Sequence, residues 1–155
     1  MAKETEIIDC IYDANENFLA RANQELVRAQ RYLSFVSYIM VDASHLSRSG
    51  EIDIAGSESE FCKKLRKHIR ISIRQTDLVS GFKNGRVCVL LVETGHDGVK
   101  VVGERLQESF RYFLHEMVNS PKNWRVEIRS GSFPGNETTA NSFLQKIKAD
   151  LIGTN

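Results

Sequence analysis

No stretch of this chain approaches the eighteen or so consecutive apolar residues that a membrane-spanning helix requires, and the opening MAKETEIIDC is charged, with no apolar run of signal-peptide length. The expectation is a cytoplasmic protein without membrane partners. Cysteine is scarce. Cys10, Cys62 and Cys88 are odd in number, far apart and never in CxxC spacing, which excludes a disulfide framework and a zinc knuckle. They read as reduced, buried thiols. Charge of one sign is also lacking: 21 Lys and Arg face 20 Asp and Glu, for a formal charge of +1. There is thus no global field to draw the chain to nucleic acid or an anionic membrane, and any charge-driven binding must be local. His45, His68, His96 and His115 form no i,i+4 pair on one helix and have no acidic neighbour at ligand spacing, so none is assigned to a metal or to base work. Neither metal nor cofactor is expected.

What is present suits one compact unit. At 155 residues, 41% hydrophobic and 26% charged, the chain can bury about two thirds of its unfolded surface without staples. Residues 1–13 are expected to be a lead-in and 14–155 a single domain. From about Ala14 to Tyr32, Leu19, Ala22, Leu26, Ala29 and Leu33 follow the spacing of one helical face. Ile7, Ile8 and Ile11 continue that stripe towards the amino terminus, as an extended lead-in helix or a coiled-coil seam for a dimer partner would. SFVSYIMV, residues 34 to 41, is a run of aromatic and β-branched residues too short for a buried helix, and reads as a central strand ending at Asp42. The polar segment from Ser44 to Ser57 is a loop.

A second helix is expected from Ser57 to Ser72, with Ser57 and Glu60 as a capping box and Phe61, Leu65 and Ile69 on its inner face. Its other face carries Lys63, Lys64, Arg66, Lys67 and Arg70. A third helix is expected from Asp97 to Val118 on the stripe Val99, Val102, Leu106, Phe110, Phe113 and Met117, stopped by Asn119-Ser120-Pro121. Trp124 to Ser130 alternates as a strand does; Gly131, Pro134 and Gly135 then form a turn before a last helix from Thr138 to Asp150.

Between the second and third helices, RQTDLVSGFKNGRVCVLLVE is a β-hairpin. Asn84-Gly85 is the signature of a two-residue type I′ turn, because both central positions need positive φ. This turn lacks any carboxylate, hydroxyl or imidazole. Between Phe82 and Val87 lie only Lys83, Asn84, Gly85 and Arg86. Helix, strand, helix, hairpin, helix, strand, helix folds most simply as an α/β (α+β) ferredoxin-like βαββαβ unit, a mainly antiparallel sheet flanked by helices with one helix leading in.

Several strings in that order resemble the GGDEF domain of bacterial diguanylate cyclases. NQELVRAQRYLSFVSYIMVDASHL is similar to the family's helix entering its first strand and closing on an aspartate. RQTDLVSGFKNGRVCVLLVET is similar to its Arg-x-x-Asp motif, five intervening residues, pentapeptide turn and strand. GERLQESF and VEIRSGSFPGNETTANSFLQKIKAD continue the likeness. The resemblance implies a nucleotidyl-cyclase-like fold and a role in cyclic di-GMP signalling.

It also places the family's catalytic pentapeptide on Lys83, Asn84, Gly85, Arg86 and Val87. In active members the acidic third residue and an aspartate on the first strand hold two divalent cations. Here Asp42 keeps the strand position, but its partner is Gly85, and Arg86 adds positive charge where an acid is usual. The family's second aspartate is Ser44, and SRSGEIDIAGSE has no counterpart of the base-reading Asn and Asp. The expectation is therefore no catalytic residue and no enzyme activity.

Arg74 and Asp77 match the product-binding Arg-x-x-Asp, which implies a cyclic di-GMP site, with Arg105 on the third helix as a second contact. The same two residues also suit a plain local ion pair at a helix-to-strand turn, and the basic helix face suits a solvated surface. Two readings in different classes follow. One is a catalytically inactive GGDEF-like signalling domain, whose partners would be another protein or domain of a signalling pathway, a second copy of the chain, and cyclic di-GMP. The other is an active nucleotide cyclase with a rearranged metal site. An RNA-contacting module is a third reading, opposed by the lack of exposed aromatics expected on the predicted strands.

Overall fold

The computed structural model describes residues 11–12, 15–44, 60–83, 85–117, 126–135 and 139–152. The elements are β1 (Ile11–Tyr12), α1 (Asn15–Tyr32), β2 (Val36–Asp42), α2 (Glu60–Ser72), β3 (Leu78–Ser80), β4 (Arg86–Val92), α3 (His96–Met117), β5 (Glu127–Phe133) and α4 (Ala140–Ile152). They form a five-stranded sheet ordered β1-β3-β4-β2-β5. β3, β4, β2 and β5 are antiparallel neighbours throughout, which is the ferredoxin-like βαββαβ arrangement.

Both faces of the sheet are covered, which explains why β2 is a nearly continuous apolar run, interrupted by Ser37. Every residue of β2 is buried. Ile39 and Val41 face a core completed by Phe61, Leu65 and Ile69 of α2 and by Leu106, Phe110 and Phe113 of α3. Tyr38 and Met40 face the opposite core, built on Phe18, Ala22 and Leu26 of α1 and Phe143, Ile147 and Leu151 of α4. A strand covered on one side would alternate; one covered on both need not.

Four expectations change. The lead-in stripe does not continue as helix through Ile11: Ile11–Tyr12 is a short strand pairing parallel with Val79 and Ser80, and it covers the otherwise open edge of β3. Ile7 and Ile8 lie outside the described residues. Leu33 leaves the α1 stripe, because the helix ends at Tyr32 and Leu33 adopts φ 54 with 91% of its surface exposed. The Ser34 amide closes that end on the Ala29 carbonyl at 2.9 Å. Leu19 packs on that face as expected, partly buried, beside the fully buried Phe18.

The last strand runs on to Phe133, so Gly131 lies within it and not in the turn. Gly131 pairs with Tyr38, and a Cβ there would stand 2.7 Å from Tyr38 Cε1. The glycine makes room for a buried ring. Finally, α4 begins at Ala140, and Thr139 Oγ1 caps it by accepting from the Ser142 amide at 3.0 Å. Ser57, the Asn119-Ser120-Pro121 breaker and Trp124 lie outside the described residues. No helix among the described residues is long and apolar enough to cross a membrane.

Candidate functional site

The two sets of residues singled out in the sequence occupy opposite ends of the sheet, because β2 joins them: Val36 opens that strand and Asp42 closes it. At the Asp42 end the hairpin forms as its turn residues dictate. Lys83 and Arg86 exchange reciprocal backbone hydrogen bonds of 2.9 Å each, and Gly85 between them has φ 78. Asn84 lies outside the described residues. Val87 is buried core. Register places Arg86 directly across from Asp42 on one side, and the Gly85 carbonyl accepts from the Ala43 amide at 2.8 Å.

That register determines the electrostatics. Arg86 Nε donates to Asp42 Oδ2 at 3.0 Å, and Arg129 Nη2 of β5 stands 3.8 Å from the same oxygen. Ser44 donates to Oδ1 from its amide at 2.9 Å and its hydroxyl at 2.6 Å. Burial alone would raise the Asp42 carboxyl. The Ser44 bonds and the Arg86 guanidinium lower it by more, and the net displacement is below the usual carboxylate range. Among the described residues, no three His, Cys, Asp or Glu side chains converge as a metal-binding group.

At the other end, Arg74 and Asp77 are brought together in a closed turn. Asp77 is 2% exposed. Its Oδ2 accepts from the Arg74 amide at 3.0 Å, and its Oδ1 accepts from the Val92 amide at 3.1 Å. The Arg74 guanidinium lies 3.4 Å from Asp77 Oδ1, but its side chain is 55% exposed. Its Nη2 also donates to the Val92 carbonyl and, at 2.7 Å, to Thr94 Oγ1. Asp77 thus holds the turn, and Arg74 is the member that reaches outward. Arg70 of the basic helix face caps the same turn, donating to the Arg74 and Asp77 carbonyls at 2.6 and 3.0 Å. Arg105 lies elsewhere: its Nη1 donates at 3.0 Å to the Ser72 carbonyl at the end of α2.

A cavity of about 610 Å³ opens beside Arg74, between the second half of α1, the start of β2 and the end of β4. Arg21, Arg28, Tyr32, Phe35 and Glu93 line it with Arg74. Tyr32 and Phe35 are 67% and 46% exposed, and Arg28 has no partner among the described residues. The sequence reading missed this cleft. Its lining comes from three stretches of the chain, within residues 21–36, 74–78 and 92–93, and on α1 it uses the flank beside the apolar stripe, with Ala29 common to both. The local signal was Tyr32, an aromatic residue off that stripe.

The sequence matches no protein-family model and no curated protein. Solved structures do match. A diguanylate cyclase protein from Thermotoga maritima superposes with a TM-score of 0.68 over 93% of this chain and 98% of its own, at 14% identity. The GGDEF domain of TpbB (YfiN) from Pseudomonas aeruginosa gives 0.66 over 88% and 80%, at 15% identity. The fold is that of a GGDEF domain. PelD from Pseudomonas aeruginosa, in complex with cyclic di-GMP, shares this GGDEF-like fold with a TM-score of 0.52 at 17% identity, over 82% of this chain and 41% of PelD.

Proposed function

We propose that this chain is a catalytically silent GGDEF-like signalling domain that takes up cyclic di-GMP in the cleft beside Arg74 and acts through contact with another protein. The observation that carries the first part is the occupation of Asp42. Its oxygens are already engaged by Ser44 and Arg86, with Arg129 close by. A hard dication needs several oxygen ligands. Here it would have to displace Arg86 and would meet a second guanidinium, so the residues present do not fit the cation pair of the active cyclases.

The cleft supports the second part. It pairs accessible guanidinium groups, which fork phosphates and the O6/N7 edge of guanine, with two exposed aromatic rings on which a base can stack. PelD, part of which shares this fold, is found in complex with cyclic di-GMP. Tyr32 and Leu33 at the rim leave apolar surface for a protein partner that would register the bound ligand.

Isothermal titration with cyclic di-GMP tests the binding: we expect saturable heat for the unaltered chain and loss of binding in Arg74→Ala. Equal binding by that variant would remove Arg74 from the site. Incubation with GTP and magnesium or manganese tests the silence. Accumulation of cyclic di-GMP, abolished in Asp42→Asn, would instead establish a cyclase with a rearranged metal site.

A further inference from the structure

Asp77 is the acid that the Arg-x-x-Asp motif nominates to read the guanine base, yet its carboxylate is enclosed and committed to two backbone amides. Guanine presents N1–H and N2–H donors on the edge beside O6, and an acceptor placed there adds to the discrimination against adenine that a guanidinium on O6/N7 supplies. Two other acids line the cleft. Glu25 is bound by Arg21 at 3.0 Å, with its side chain only 9% exposed. Glu93 is exposed, and its carboxylate has no hydrogen bond or ion pair among the described residues.

The placement of Glu93 is specific. Arg74 Nη2 donates to the Val92 carbonyl on one side of it and to Thr94 Oγ1 on the other, so the guanidinium is anchored across the same short stretch of chain. Glu93 also has φ 50, left-handed for a residue with a side chain. Leu33, φ 54, precedes Ser34 and Phe35 on the facing wall. These are the two positive-φ residues other than glycine among the described residues. Such conformations cost free energy and concentrate where a site must be shaped.

Resting on the reading of this cleft as a cyclic dinucleotide site, we propose that Glu93, and not Asp77, is its guanine-specificity carboxylate. It accepts from N1–H and N2–H while Arg74 donates to the O6/N7 edge. Adenine offers an N1 acceptor in place of the N1–H donor, so the same carboxylate repels it. Asp77 acts one step back, as a positioning residue that holds Arg74.

The test is titration of the unaltered chain, Glu93→Gln, Asp77→Asn and Arg74→Ala with cyclic di-GMP and cyclic di-AMP. The unaltered chain should prefer the guanine ligand by at least about tenfold, the range that a two-bond base contact supplies. Glu93→Gln keeps size and backbone preference; it should weaken cyclic di-GMP binding by about tenfold or more and narrow the ratio between the ligands. Asp77→Asn should lower the melting temperature and leave that ratio unchanged. If the unaltered chain binds cyclic di-GMP, Arg74→Ala does not, and Glu93→Gln retains both affinity and preference, this assignment is wrong while the receptor reading stands. A ratio that moves with Asp77→Asn and not with Glu93→Gln would also overturn it. No binding of cyclic di-GMP by the unaltered chain removes the receptor reading and this assignment together.

Discussion

Asp42 illustrates how one residue's role follows from what stands across the sheet. An aspartate at a strand end is a metal ligand only if other oxygens converge on it; opposite Arg86 it becomes half of an ion pair, with side-chain exposures of 22% for the arginine and 8% for the aspartate. Its carboxyl lies below the ordinary value when folded. Its contribution to stability is therefore complete above the unfolded-state value and is lost as the pH falls through the lower, folded-state value. Asp42→Asn should cost about 3 kcal/mol at neutral pH, the lower end of the scale for breaking a buried pair. Urea melts across the acid range should show the gap between the two proteins closing as the wild-type carboxylate protonates. A constant gap would mean that the charge does not carry the contribution.

Two element boundaries differ from what local sequence pattern suggests, one from apolar periodicity and one from a turn signal, for reasons that can be measured. Leu33 sits at apolar spacing from Ala29, but helix α1 has already ended, and the residue is left in a left-handed conformation that disfavours a side chain. Leu33→Gly should raise stability by about 0.5–1 kcal/mol, as relief of that conformation exceeds the added entropy of the unfolded chain. Unchanged or reduced stability in denaturant melts would show that the Leu33 side chain makes compensating contacts. Gly131 reads as a turn signal, yet it belongs to β5, where its missing Cβ accommodates Tyr38. Tyr38 in turn packs edge-on against Phe143 of α4, with ring centroids 5.5 Å apart. Gly131→Ala should therefore destabilise by about 1–3 kcal/mol, as overpacking of a filled core does, with loss of near-ultraviolet dichroism from the displaced ring.

At the scale of the whole molecule, the seven-residue β2 separates the Asp42 cluster from the cleft by about 20 Å, at 3.3 Å per residue. Sites that far apart and without shared partners combine additively to within about 0.5 kcal/mol. Asp42→Asn should accordingly leave cyclic di-GMP affinity within about twofold of wild type, and Glu93→Gln should leave the acid limb of the stability curve unchanged. Strong coupling in either direction would show that the sheet transmits between its ends, as a signalling domain with a working allosteric link requires.

The residues alone determined the order of the elements, because helical stripes such as Phe61, Leu65 and Ile69, the apolar β2 run and the Asn84-Gly85 turn are local patterns written at fixed spacing. They also specified the tight turn that Lys83 and Arg86 close, whereas the pairing of β4 with β2 that sets Arg86 across from Asp42 is a long-range contact. Only the tertiary structure decided which acid faces the cleft. Burial of Asp77, exposure of Glu93 and the meeting of Arg28, Phe35 and Arg74 around one cavity depend on how α1, β2 and the end of β4 pack, and packing brings together residues that no spacing along the chain relates.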